Sequence, residues 1–217
     1  MRRSLLTLLL GAAAYGFAIG SAHSFRQGEW NLLKFPLLLV ATCLLCAPAY
    51  YLLAQFITRG LSFGAVLRLV FRAFADASLL LASLAPACFF LAQTITPPDS
   101  QGLNEYPMFL GLNVAFIALC GTAAVVRQAG RLLKSHTLSP ARSAMIVVVW
   151  LGVSLFVGGQ CAWYMRPFFG VRTTRPLPFM EGSNPNSRGA RSFYEAVYHI
   201  VNPPPLPKDY LNHENKD

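Results

Sequence analysis

A chain of 217 residues that is 54% hydrophobic and only 12% charged lies far from the roughly one-quarter charged composition of soluble domains, so its expected solvent is a bilayer. The net charge of +9 does not point to nucleic acid, because Lys and Arg fall mostly in short segments between apolar runs, as the positive-inside rule expects. The five cysteines, Cys43, Cys46, Cys88, Cys120 and Cys161, all lie inside apolar runs, which argues against a disulfide framework, a zinc site or any bound metal and reads them as small hydrophobes.

Crossing about 30 Å of hydrocarbon takes about 20 mostly apolar residues, and five runs reach that length. The first, 4–22, follows Arg2 and Arg3. Its competitor is a signal peptide cleaved after Gly20 and Ala22, but Ala12, Gly16 and Gly20 repeat every four residues and make one face thin enough for another helix to approach. A retained helix is the favoured expectation. Residues 23–34 read as a short polar connection with Trp30 as an interfacial anchor. The second run, 35–57, opens with Pro36 in its first turn and carries Pro48 mid-run, followed by Tyr50 and Tyr51.

Between runs two and three, Arg59, Arg68 and Arg72 are set among apolar residues, and 61–74 reads as an amphipathic helix along the membrane surface. The third run, 73–93, holds Asp76, the one acid within any of the five runs. An ionisable group there is costly enough to be a functional candidate, although Arg72, one turn earlier, is placed for a local ion pair. Residues 94–105 contain Pro97, Pro98 and Gly102 and no Lys or Arg, and suit an outer loop. In the fourth run, 106–126, Gly111 and Ala115 bracket Asn113 and suggest a packed face. Residues 127–142 hold Arg127, Arg131, Lys134 and Arg142 without an acid and read as cytoplasmic. The fifth run is 143–165, with Gly152, Gly158 and Gly159 thinning its surface.

The tail, 166–217, is rich in Pro, Gly, Asn and Arg and mostly irregular. Ser192 followed three residues later by Glu195 is a capping box for a short helix at about 193–201, with Phe193, Val197, Ile200 and Val201 on its apolar face. Residues 203–217 read as a disordered end or a partner-binding strap. The fold class is therefore an all-α membrane protein, a bundle of about five transmembrane helices plus a tail carrying one amphipathic helix. Alternate loops hold nine Lys and Arg inside against two in the first outer loop, which places the N-terminus in the cytoplasm and the tail outside.

With helices alternating in direction, Gln93, Asn113 and Gln160 fall at similar depth, the last two about 9–10 Å from the outer boundary at 1.5 Å per residue. Gln160, Trp163 and Arg166 recur every three residues, and this cluster is the candidate site for an anionic headgroup or a carboxylate. The plainer reading has the amides bonding between helices and Trp163 and Arg166 anchoring the helix end. No HExxH, GxSxG or Walker A pattern occurs, and no cofactor is implied. Gln160, Trp163, Arg166, Pro167 and Phe168, followed after a basic Pro-rich linker by Phe193, Tyr194, Glu195, Ala196 and Val197, resemble the C-terminal pattern of a group of uncharacterised bacterial multi-pass membrane proteins. Val171 to Thr173 depart from that pattern, where a small-residue and Pro-Gly turn is expected. The resemblance implies a bacterial inner membrane. The leading functional expectation is a scaffold or accessory subunit that docks a membrane-protein partner or a second copy, with a lipid- or solute-handling transporter component as the alternative and a membrane enzyme third.

Overall fold

The computed structural model describes residues 2–57, 62–94, 106–135, 140–170, 177–182, 184 and 190–202. Six helices cover most of them: α1 (Arg2–Gly20), α2 (Phe25–Ile57), α3 (Phe63–Thr94), α4 (Tyr106–Ser135), α5 (Pro140–Met165) and α6 (Phe193–Val201). Five are long and apolar enough to cross a membrane, and the described residues form an all-helical, multi-pass membrane protein. At 33 and 32 residues, α2 and α3 are about 48–50 Å long, well beyond the hydrocarbon core, so each carries polar turns outside it.

Those overhangs change two local expectations. Residues 25–34 are the first turns of α2 rather than a connection, and residues 63–74 continue into α3 without a break, so no separate surface helix forms there. Arg127 and Arg131 are likewise helical, because α4 runs on to Ser135. The outer loop expected at 95–105 and the tail end at 203–217 lie outside the described residues.

Helix α1 packs on both α2 and α3, α3 packs on α4, and α5 closes against α2 and α4. Lipid tails are as apolar as the side chains, so burial alone does not join these helices; close approach and interhelical hydrogen bonds must. Close approach is concentrated on α1. A Cβ at Gly16 would lie 2.5 Å from Asn31 O, one at Gly20 2.7 Å from Gln27 O, and one at Gly11 2.6 Å from Ser78 O, so only hydrogen fits at these crossings. On α4 the expectation reverses. Gly111 and Ala115 are exposed while Asn113 is buried, since residues two apart sit on opposite sides of a helix.

The core forms successive tiers along the bundle. One tier gathers Leu8, Cys43, Cys46, Tyr50, Val70 and Trp150, and Tyr50 donates to Trp150 O at 3.2 Å and also bonds Ser154. The next gathers Tyr15, Ile19, Phe35, Leu81, Cys88 and Phe168, and a small tier of Ala22, Ala92 and Phe109 ends the bundle. On α6 the Ser192 half of the expected capping box forms, with Ser192 Oγ accepting from Glu195 N at 3.2 Å, while the Glu195 carboxylate takes the N–H of Arg191, one residue before the cap, at 2.7 Å. Phe193 lies against Gly159, and Tyr194 stacks on Phe156 and donates to its carbonyl, so α6 folds back onto α5. The side chains of Val197, His199, Ile200 and Val201 are outside the described residues.

Candidate functional site

Among the described residues, the most polar region buried in the bundle is built by α2. Gln27, Asn31 and Lys34 follow the spacing i, i+4, i+7, which aligns them on one helix face, and all three are buried. They point toward the end of α5, where Pro167 stops the helix and the Arg166–Pro167 bond is cis. Carbonyls just beyond that stop are the acceptors. Gln27 Nε2 and Lys34 Nζ both donate to Pro167 O, at 2.7 and 2.6 Å, and Asn31 Nδ2 donates to Phe168 O at 2.7 Å. The segment that leaves the bundle at Pro167 and Phe168, hereafter the strap, is therefore held through its backbone.

Lys34 is fully buried, and neither ion pair among the described residues involves it. Its ammonium lies instead 5.0 Å from the Phe168 ring centre and 5.4 Å from that of Phe179, whose negative faces take part of the charge. Phe179 in turn meets Trp30 edge-on, with Arg26 5.0 Å above the indole. Segment 177–182 returns to the end of α5 by backbone bonds, Glu181 N to Arg166 O at 2.9 Å and Gly182 N to Tyr164 O at 3.1 Å.

The sequence-derived cluster is distributed over four places. Trp163 and Arg166 do meet: the guanidinium lies 3.7 Å from the indole centre. Its other partners are Glu181 Oε2 at 2.5 Å and the Asn184 carbonyl, so a carboxylate of the same chain occupies the position expected for an external anion. Asn113 is the acceptor for Tyr15 OH at 2.8 Å and donates to Phe109 O at 2.8 Å. Gln93 donates to Ser21 Oγ at 3.2 Å. Asn113 thus bonds to α1 and to its own helix, and Gln93 to Ser21 in the turn that follows α1; none of these bonds is to Gln160. Gln160 lines a groove of about 520 Å³ with Leu45, Phe156, Cys161, Tyr164 and Tyr194, and its Oε1 is buried without a hydrogen-bond partner among the described residues.

Asp76 also differs from expectation in its partner. It accepts from Gln128 Nε2 at 2.8 Å and pairs with Arg131 at 3.4 Å, both from α4, rather than with Arg72 of its own helix. An inter-helix partner wins here because α4 presents its Gln128 and Arg131 side chains, three residues apart, directly to the carboxylate.

Gln27, Asn31 and Lys34 were missed by sequence reasoning because residues 23–34 read as a connection. The available signal was their spacing, which is that of a helix face rather than of a loop. Chemically, the arrangement is a set of donors aimed at backbone carbonyls, suited to fixing a segment in place. No family model, curated protein or solved structure matches the chain.

Proposed function

We propose that the chain is a scaffold or accessory subunit of a membrane complex, without catalytic activity of its own, whose fifth helix receives a partner. The observation that carries this reading is the openness of α5. In its most apolar stretch 11% of residues are buried, against 44% in α1, and Val148, Leu155 and Phe156 are all exposed. Exposed apolar residues alone suit lipid, but α5 also borders a groove of about 520 Å³ with Leu45 and Tyr194, lined by Phe156, Gln160 and Tyr164, a recess that the side chains of another helix fit.

The positive-inside count supports an N-terminus in the cytoplasm and the tail across a bacterial inner membrane, with the α2–strap lock and α6 on the outer side. A photo-crosslinking residue at Leu155 in native membranes should give a discrete adduct, and one at Leu79 on α3, comparably exposed, should not. An adduct of twice 23.8 kDa identifies a second copy; any other mass identifies a different subunit. Adducts equal at both positions, or absent at Leu155, refute the reading. Labelling of a cysteine placed at Lys134 from outside the cell refutes the orientation.

A further inference from the structure

The opposite end of the bundle from the strap carries an unbalanced charge cluster. Asp76 on α3 is the only acid between Glu29 and Asp99, and it binds Gln128 and Arg131 of α4. Arg72 precedes Asp76 by four residues and Arg68 precedes Arg72 by four, so they occupy successive turns of one face; Arg127 precedes Arg131 by the same interval. All four arginines are exposed. Four positive charges against one negative leave the α3–α4 seam at net +3.

Its height along the helix matters as much as its charge. Eighteen residues separate Asp76 from Thr94, about 27 Å at 1.5 Å per residue and close to the full hydrocarbon thickness. Arg72 lies about 6 Å beyond, at the level of lipid phosphates. Seven residues from Arg72 on the same stripe, Leu79 is 56% exposed and gives an acyl chain an apolar wall. Asp76 tethers Arg131 while leaving its side chain 48% exposed, so the guanidinium is positioned and still reachable.

We infer that the α3–α4 seam binds the phosphate of an anionic phospholipid, with Arg72 and Arg131 gripping its oxygens and Asp76 orienting Arg131. The guanidinium fork matches phosphate geometry, and the low-dielectric surroundings strengthen the pairing relative to water. One leaflet supplies the ligand, which fixes how far the bundle sinks on that side and leaves α5 open for its partner.

Native mass spectrometry of the full-length protein, titrated separately with dioleoyl phosphatidylglycerol and dioleoyl phosphatidylcholine, tests this. Each arginine near an anionic surface is worth about five-fold in affinity, so Arg72→Gln should weaken phosphatidylglycerol binding about five-fold and Arg72→Gln with Arg131→Gln about 25-fold. Phosphatidylcholine binding should change little, and Arg26→Gln at the other end should leave both lipids unaffected. Arg72 is exposed and in neither ion pair among the described residues, so the single variant decides the matter if the double variant misfolds. Equal retention of the two lipids by the wild type, unchanged phosphatidylglycerol binding in Arg72→Gln, or saturable binding of inorganic phosphate without lipid preference overturns the inference.

Discussion

Replacing Gly16 by alanine tests whether the α1–α2 crossing holds the bundle together. The added Cβ would lie 2.5 Å from Asn31 O and 2.7 Å from Phe35 Cβ, and neither atom can rotate away because both are fixed by the α2 backbone. Restoring an ordinary separation of about 3.5 Å requires the helices to part locally by about 1 Å. That movement also pulls on the 2.7 Å bond from Asn31 to Phe168 O and on the Tyr15–Phe35 ring contact at 5.5 Å. Overpacking of this kind costs about 1–3 kcal/mol. The control is Gly111→Ala on α4, where a Cβ meets nothing within 4 Å. There the change only improves helix propensity, by up to about 1 kcal/mol, with the opposite sign. Reversible unfolding in mixed micelles, followed by circular dichroism, measures both. A Gly16→Ala protein as stable as Gly111→Ala refutes the close crossing.

Tyr15→Phe and Asn113→Leu should be coupled by about 0.6–1.7 kcal/mol in a double-mutant cycle of unfolding, the range for interhelical hydrogen bonds in membranes; zero coupling would contradict the 2.8 Å bond. Asp76→Asn keeps an acceptor for Gln128 and loses a partly exposed ion pair, so unfolding should shift by no more than about 1 kcal/mol. Lys34→Met leaves Pro167 O with its Gln27 donor, whereas Gln27→Leu combined with Lys34→Met orphans that carbonyl. The double variant should therefore cost about 1–3 kcal/mol more than the single one in the same unfolding assay. Ser192→Ala should speed amide exchange across Phe193–Val201 about five-fold, the loss of a cap of about 1 kcal/mol, while α5 is unaffected.

Features carried by local pattern were legible in the sequence. The number of long helices follows from run length and composition, and α6 from the Ser192 and Glu195 pair that satisfies its first amides. The role of Gly16 and Gly20 followed from spacing that puts small residues on one face of α1. The same rule misled at Gly111 and Ala115, because spacing shows that two residues share a face and not which way that face points. Pairings between distant segments were illegible for a related reason. Asn113 meets Tyr15 from 98 positions away, and Asp76 meets Gln128 from 52. Depth along the bilayer narrows such partners to a level, but rotation of each helix selects among them, and that depends on all its neighbours at once. Residues 25–34 were misread because hydropathy marks where lipid begins, whereas a helix continues for as long as its backbone bonds are satisfied.

The lock between α2 and the strap has a consequence for the order in which the protein is made. Gln27, Asn31 and Lys34 belong to the second span, yet the carbonyls they bind are residues 167 and 168, at the exit of the fifth. While the intervening three helices are being synthesised and inserted, those donors lack the acceptors that bury them, and a buried ammonium without an acceptor is strongly disfavoured. The nascent α1–α2 hairpin must keep that face wet, at the membrane surface, until the last span arrives. A chain ended after Met165 would retain all five spans and still leave Lys34 without its carbonyl, which makes the first residues of the tail a completion signal for the bundle.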